Sequence, residues 1–227
     1  MTAPTLDDLA QMVDHTNLHP DATEKDMARL CDEAVRHHFR MVAVNQVQTA
    51  LCARLLAGTD VHVGAAISFP LGQTTADAKV FETQDALAHG ADEIDYVVNL
   101  TRVRAHDWAF VADEMRRIVA ACEDAGATSK VIFENCYLTD AEKIELCHIA
   151  REVRPTFVKT STGFGTDGAT ADDVRLMREH VGPHVQVKAA GGIRTADAFL
   201  RMVDAGATRI GCSASVTIMD ELRMRLG

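Results

Sequence analysis

Several features that would place this chain in a membrane or outside a cell are missing from its 227 residues. No apolar run approaches the roughly 18 residues that a membrane-spanning helix requires. The first residues carry neither the basic region nor the apolar stretch of a secretion signal. The six cysteines include no Cys-x-x-Cys pair and several lie within apolar patterns, which favours buried free thiols over disulfides. We therefore expect a soluble, cytoplasmic protein with no membrane contact.

Positive charge is also scarce. The chain has 23 Lys and Arg against 33 Asp and Glu, a formal net charge of −10. Such an excess of negative charge repels a phosphate backbone, so nucleic acid is not an expected partner. The balance does not exclude a small anionic ligand, because such a ligand responds to local charge.

No low-complexity linker, Pro/Ser-rich stretch or charge block divides the chain, which predicts one domain over residues 1–227. Instead, eight short segments rich in strand-forming residues alternate with amphipathic segments of helical periodicity. The predicted strands are 12–15, 40–45, 61–67, 92–98, 130–135, 156–161, 185–190 and 208–213. Eight such units with short connections predict an α/β protein with a (β/α)8 TIM barrel, for which the length is suitable. A Rossmann sheet is the alternative, but no GxGxxG follows the first strand.

Two of the predicted helices carry clear signals. Residues 23–38 have apolar side chains at helical spacing, which predicts one apolar stripe of Met27, Leu30, Cys31, Ala34 and Val35. Residues 107–126 form a longer helical pattern that ends on Gly126, a residue suited to a left-handed C-terminal cap.

Two lysines are predicted to point into the barrel from adjacent strands. Barrel enzymes place their chemistry at the carboxyl ends of the strands, and strand alternation turns both Lys159 and Lys188 inward. At about 5 Å, with an effective dielectric near 20, their repulsion is roughly 3 kcal/mol, about 2.4 in pKa. One lysine then titrates near 8, and desolvation acts in the same direction.

A lysine tuned in this way has a substantial neutral fraction near neutral pH and can attack a carbonyl to form a Schiff base. Asp95, also inward, is placed to orient a water or move protons as the carbinolamine forms and collapses. The alternative is that both lysines extend along the barrel rim with their charges in water.

Glycine-rich turns follow the last three predicted strands. They contain Gly163-Phe164-Gly165, Gly191-Gly192 and Gly211. Backbone amides in such turns bind phosphate, and barrels often do so after their last two strands. Ser213 is placed to donate a hydroxyl and Arg194 to add charge, although each glycine can also serve only to permit a tight turn.

Motifs along nearly the whole chain resemble the deoxyribose-phosphate aldolase family. They are Asp14-His15-Thr16, Phe69-Pro70-Leu71-Gly72, Phe81-Glu82-Thr83, residues 91–95 (ADEID), residues 159–163 (KTSTG) and residues 188–195 (KAAGGIRT). The last two are the most specific. The resemblance implies a class I aldolase on a (β/α)8 barrel, with no metal or organic cofactor. Such an enzyme reversibly cleaves 2-deoxy-D-ribose 5-phosphate into D-glyceraldehyde 3-phosphate and acetaldehyde.

Carried over by position, the resemblance implies that Lys159 forms the Schiff base, Lys188 depresses its pKa and Asp95 relays protons. Asp14 and Thr16 are implied to lie near the sugar. The remaining positions implied to bind substrate or its phosphate are Thr162, Gly163, Gly191, Gly192, Gly211 and Ser213.

Five positions depart from the family pattern: Ala43, Gln46, Thr101, Asn135 and Ser215. None of them belongs to the lysine pair or is Asp95, so they bear on substrate preference and rate rather than on the type of chemistry.

Other interpretations stay open at this point. His15 and His19 suggest a metal site, but no third ligand has suitable spacing, and we expect none. A pyridoxal-phosphate barrel also needs a Schiff-base lysine and a phosphate nest. A sugar-phosphate sensor without activity, or an aldolase for another short phosphorylated aldose, would carry the same loops. Met219, Leu222, Met224 and Leu226 form either a partly buried final helix or a contact in the expected homodimer or other homo-oligomer.

Overall fold

Eight parallel strands close into a barrel in chain order. They are β1 (Val13–Asn17), β2 (Met41–Asn45), β3 (His62–Ile67), β4 (Glu93–Val97), β5 (Thr128–Ile132), β6 (Phe157–Lys159), β7 (Gln186–Ala190) and β8 (Arg209–Cys212). The barrel closes where β8 pairs with β1, with Ile210 opposite Val13. This computed structural model, which describes residues 4–226, confirms the predicted (β/α)8 TIM barrel and all eight predicted strands.

The largest error in the strand boundaries falls on β5, which ends at Ile132 rather than at 135. Beyond Ile132 the chain leaves β4 but continues to follow the neighbouring segment, since Phe133 N donates to Lys159 O and Asn135 N to Thr160 O. Glu134 between them has a left-handed backbone with φ of 56°. The apolar run in the sequence therefore extends past the regular ladder.

Helices surround the barrel and connect its strands. They are α1 (Leu6–Ala10), α2 (Glu24–His37), α3 (Thr49–Leu55), α4 (Ala76–Ala88), α5 (Leu100–Arg104), α6 (Trp108–Asp124), α7 (Asp140–Val153), α8 (Ala171–His180), α9 (Ala196–Asp204) and α10 (Ser215–Leu226). Helices α2, α4, α7, α8 and α9 each begin after a threonine whose side chain accepts a hydrogen bond from the first turn. Within residues 4–226, no helix is both long and apolar enough to cross a membrane.

The apolar core lies between the outer face of the barrel and the helices. Outward residues such as Val42, Val63 and Ile94 are at most 2% exposed, and burying each contributes about 1.5–3 kcal/mol. The predicted stripe of α2 is buried except for Val35, which is 45% exposed. Val35 is more exposed because it lies at the edge of the apolar stripe.

The predicted cap of α6 is confirmed, with Gly126 at φ of 67° just after the last helical turn. The assignment of residues 1–227 to one domain stays a prediction, since residues 1–3 and 227 lie outside the described part of the chain.

Candidate active site

Charged side chains fill much of the barrel interior. Strand alternation turns one residue in two inward, and on several strands the inward residue is ionisable. The converging side chains, each less than 9% exposed, are Asp14, Glu93, Asp95, Lys130, Lys159, Lys188 and Arg209. Because buried charges are costly unless paired, their mutual contacts decide which of them carries a charge.

Asp95 contacts three of these lysines. Its Oδ2 accepts hydrogen bonds from Lys159 Nζ at 2.7 Å and from Lys188 Nζ at 2.6 Å. Its Oδ1 accepts from Lys130 Nζ at 2.7 Å. The structure therefore brings Lys159, Lys188 and Asp95 together. It contradicts the rim alternative, since Lys159 is 3% exposed and Lys188 is fully buried.

Six of the seven side chains form a closed ring of alternating charge, which we call the ionic ring. In order, it contains Asp95, Lys188, Asp14, Arg209, Glu93 and Lys130. Its contacts measure 2.6 Å (Asp95–Lys188), 2.5 Å (Lys188–Asp14), 2.8 Å (Asp14–Arg209), 3.1 Å (Arg209–Glu93), 2.6 Å (Glu93–Lys130) and 2.7 Å (Lys130–Asp95). Lys159 lies outside the ring and contacts it through Asp95.

Three ring members were missed from the sequence: Lys130, Arg209 and Glu93. The signal was present, since each lies in or next to a predicted strand, and Glu93 comes two residues before the inward Asp95. An inward charge on a strand is easily taken for a residue at the strand end that reaches solvent.

Burial lowers the pKa of Lys159 to about 8, and the ammonium groups of Lys188 and Lys130 act in the same direction while Asp95 opposes them. The value agrees with the sequence prediction, but burial rather than repulsion by Lys188 is the larger cause. Burial raises the pKa of Asp95, yet the lysines around it outweigh this effect and hold that pKa well below its usual range. Asp95 is therefore an anion beside an amine that loses its proton readily.

A cavity of about 270 Å³ opens at the carboxyl ends of β1, β6, β7 and β8. The predicted residues that line it are Lys159, Thr16, Thr162, Gly163, Gly191, Gly192, Gly211 and Ser213. Arg194, Phe164 and His19 line it as well. Asp14 is not among the lining residues; it is fully buried in the ionic ring, between Lys188 and Arg209.

The glycines of the cavity have geometric reasons to be glycine. Gly163 and Gly191 adopt φ of 88° and 89°, a region that side-chain-bearing residues rarely adopt. A Cβ on Gly211 would lie 3.1 Å from Lys188 Cε, so this glycine makes room for the Lys188 side chain. Gly191 O accepts from Ala169 N at 3.0 Å, which joins the loops after β6 and β7.

Glu134, a residue missed from the sequence, holds the KTSTG turn. One carboxylate oxygen accepts from Thr162 N at 3.0 Å and the other from the Thr162 hydroxyl. That hydroxyl also accepts from Phe164 N at 3.0 Å. Burial raises the pKa of Glu134, although the Thr162 hydrogen bonds and Lys159 oppose the shift. Glu134 therefore fixes the turn that carries Thr162 and Gly163 into the cavity.

The two histidines considered for a metal site have different surroundings. His15 is buried, and its Nε2 lies 2.8 Å from Glu33 Oε2 on α2, whereas His19 lines the cavity. All six cysteines, each within the described residues, are free thiols.

Three of the five departures from the family pattern make local side-chain hydrogen bonds. The Ser215 hydroxyl donates to Cys212 O at 2.9 Å, Thr101 to Gln73 at 2.9 Å, and Gln46 to Asp85.

Comparisons with known proteins are consistent with this geometry. Residues 9–215 match the model of the family described as DeoC/LacD family aldolase. The deoxyribose-phosphate aldolase of Lactobacillus acidophilus is 58% identical over 222 residues, covering 98% of this chain and 94% of the relative. That of Bacteroides thetaiotaomicron is 50% identical over 95% of this chain and 91% of its own length. A tetrameric deoxyribose phosphate aldolase from Aeropyrum pernix has a TM-score of 0.90 at 34% identity, covering 96% of this chain and 92% of that one.

Proposed function

Since the chain belongs to the DeoC/LacD family of aldolases, we propose that it reversibly cleaves 2-deoxy-D-ribose 5-phosphate into D-glyceraldehyde 3-phosphate and acetaldehyde. The family predicted from the sequence is confirmed. One observation carries the proposed chemistry. Lys159 lies at a cavity of small-molecule size, almost completely buried, with its pKa lowered to about 8.

The reaction follows from an uncharged amine at that position. Lys159 Nζ adds to the C1 aldehyde to form a carbinolamine, which loses water to give an iminium ion. The C3 hydroxyl passes its proton through a water to the Asp95 carboxylate, the C2–C3 bond breaks, and its electron pair moves into the iminium to form an enamine. D-glyceraldehyde 3-phosphate leaves with C3 to C5. The enamine is then protonated at C2, and water hydrolyses the resulting iminium to release acetaldehyde and the free lysine.

Asp95 and Lys188 are the proposed proton carriers. Asp95 is an anion 2.7 Å from Lys159 Nζ, so it accepts a proton when the amine adds to the aldehyde. Lys188 shares the same oxygen of Asp95 at 2.6 Å and is placed to return a proton. We propose that Asp95 and Lys188 carry the protons of the reaction and that it uses neither metal nor organic cofactor.

The glycine turns are the proposed phosphate site. Gly163, Gly191 and Gly192 line the cavity with left-handed backbones, and Ser213 and Arg194 line it as well. We propose that the backbone amides of these turns bind the phosphate. Thr16 and Thr162 line the same cavity, and we propose that they lie against the sugar. Asp14, which does not line the cavity, is proposed to act through Lys188 instead of touching the sugar.

Trapping tests the proposal. Borohydride added with 2-deoxyribose 5-phosphate should reduce the iminium and leave an adduct on the peptide that contains Lys159, while acetaldehyde forms without borohydride. Lys159→Arg should abolish both signals. Lys79→Arg is the matched control, because Lys79 is equally buried but pairs with Glu114 outside the barrel interior. A Lys159→Arg protein that still traps the sugar would overturn the assignment, and purified protein absorbing near about 400 nm would favour pyridoxal phosphate.

We further propose that the chain is a cytoplasmic homodimer or larger homo-oligomer. The Aeropyrum pernix relative is described as tetrameric, and Val47, Phe81 and Met224 are 71–78% exposed apolar side chains. Six free thiols suit a reducing compartment. Light scattering on purified protein should give a mass at least twice 24.7 kDa, and a monomer at micromolar concentration would contradict self-association.

A further inference from the structure

The seven charged side chains in mutual contact inside the barrel do not balance if every one of them is ionised. Three carboxylates, those of Asp14, Glu93 and Asp95, meet four basic groups: Lys130, Lys159, Lys188 and Arg209. The ionic ring alone is neutral, with three of each sign in alternation. Lys159, attached to the ring through Asp95, is the fourth basic group. A buried charge without its own counter-ion is strongly disfavoured.

We propose that Arg209 and Glu93 are positioning residues for the reaction, because they complete the ionic ring and so make Lys159 the surplus base that gives up its proton. Neither of them lines the cavity, so they act through the ring rather than on substrate. The inference deepens the proposed function and rests on it.

Arg209 is the ring member best suited to set this balance. A guanidinium keeps its proton at any working pH, and although burial opposes it, Asp14 and Glu93 raise the pKa of Arg209 further. Its side chain is clamped between those two carboxylates and stacks over the Phe157 ring at 5.0 Å. Arg209 therefore contributes a fixed positive charge. Because the guanidinium does not lose its proton, the group that loses one must be a lysine.

The register places Lys159 and Arg209 in one row. Lys159 is opposite Lys188, and Lys188 is opposite Arg209, so three basic groups lie side by side on β6, β7 and β8. Two strand spacings of about 4.8 Å separate Lys159 from Arg209. At an effective dielectric near 20, a charge at that separation changes the pKa of Lys159 by about 1. Glu93 on β4 is joined to Lys159 through Lys130 and Asp95, by contacts of 2.6, 2.7 and 2.7 Å, and its negative charge acts in the opposite direction.

The groups that face Lys159 come from every side of the barrel. Asp95 on β4, Lys130 on β5 and Lys188 on β7 are the charged groups nearest to it, and Glu134 approaches from beyond β5. Asp14, Glu93 and Arg209 form the rest of the ring, and His62 of β3 contacts Glu93 at 2.8 Å.

The proposal predicts shifts of opposite sign for two substitutions. Arg209→Met removes a fixed positive charge, so the remaining balance favours protonated Lys159, and its titration should move up by about one pH unit. Glu93→Gln removes a negative charge, so the titration should move down by about one pH unit. Arg209→Lys keeps the charge and should restore the behaviour of the unmodified chain. If Arg209 and Glu93 had a purely structural role, the direction of the shift would not depend on the sign of the charge that is removed.

The experiment reads Lys159 without using catalysis. Trace acetylation with acetic anhydride from pH 6 to 11, followed by peptide mass spectrometry, gives the titration of Lys159 in each full-length variant. The pH dependence of acetaldehyde formation is measured in parallel. Lys79→Met and Glu114→Gln are the matched controls, since they remove one or the other charge from a fully buried pair outside the ring, and both should leave the titration of Lys159 unchanged.

Opposite shifts for Arg209→Met and Glu93→Gln support the inference. Shifts in the same direction, or shifts no larger than those of the controls, overturn it. If circular dichroism shows that Arg209→Met does not fold, the other two variants decide the matter. A downward shift for Glu93→Gln with an unchanged titration for Arg209→Lys supports the inference, and any other result overturns it. Absence of acetaldehyde from the unmodified chain would refute the proposed function, while the labelling result would still test the ring separately.

Discussion

Replacing Lys188 with methionine measures how far its charge controls Lys159. Both ammonium groups contact the same Asp95 oxygen, at 2.7 and 2.6 Å, so the two nitrogens are no more than about 5 Å apart. With an effective dielectric near 20, their repulsion is about 3 kcal/mol, or about 2 in pKa. Methionine keeps the site apolar, so the desolvation that lowers the pKa of Lys159 most is retained. We expect that pKa to rise from about 8 to about 10.

The rise has a large effect on the rate at neutral pH. With a pKa of about 8, about a tenth of Lys159 is neutral at pH 7; with a pKa of about 10, about a thousandth is. We therefore expect kcat/KM for 2-deoxyribose 5-phosphate to fall at least about 100-fold at pH 7 and to regain about 100-fold at high pH, with any remaining loss due to the missing proton carrier. Acetaldehyde formation from pH 6 to 10.5 gives the profile, with Lys79→Met as the matched loss of a buried ammonium.

If the acidic side of the pH–rate profile of Lys188→Met lay at the same pH as in the unmodified chain, this reasoning would be refuted. If Lys188→Met lowered the rate equally at every pH, Lys188 would act only as a proton carrier, and burial alone would account for the reactivity of Lys159.

Further predictions address the remaining parts of the site and the fold. In the unmodified chain, kcat/KM should rise about tenfold per pH unit below pH 8, and a flat profile from pH 6 to 8 would contradict a titrating Lys159. Glu134→Gln should raise KM more for the phosphorylated sugar than for 2-deoxyribose, because the KTSTG turn loosens; equal changes would argue against its role at the phosphate site. Gly191→Ala, at φ of 89°, should cost about 1 kcal/mol of unfolding free energy and weaken inorganic phosphate binding, both measurable by thermal denaturation. The pKa of Asp95 is depressed in the fold, so its contribution to stability is present above about pH 4, its unfolded value, and is lost as pH falls further. The melting temperature should therefore drop below about pH 4, and less so in Asp95→Asn.

Local patterns were sufficient to predict much of this molecule. Strand alternation has a period of two, so the inward direction of Lys159 and Lys188 could be read from the sequence. The same rule applied to Glu93, Lys130 and Arg209, but it says only that a side chain points inward and not which partner it meets. The Glu134 contact was beyond sequence reasoning, because it depends on a left-handed backbone at a strand end.

By itself, the sequence determined the eightfold strand and helix alternation, the inward lysines and the glycine turns, since each depends on residues close together along the chain. Closure of the barrel decided the rest. Asp14 and Arg209 are 195 positions apart and become neighbours only because β8 pairs with β1. Counter-ion pairing in a buried interior depends on such contacts between distant residues, so the charged partners of Lys159 became visible only in the tertiary structure.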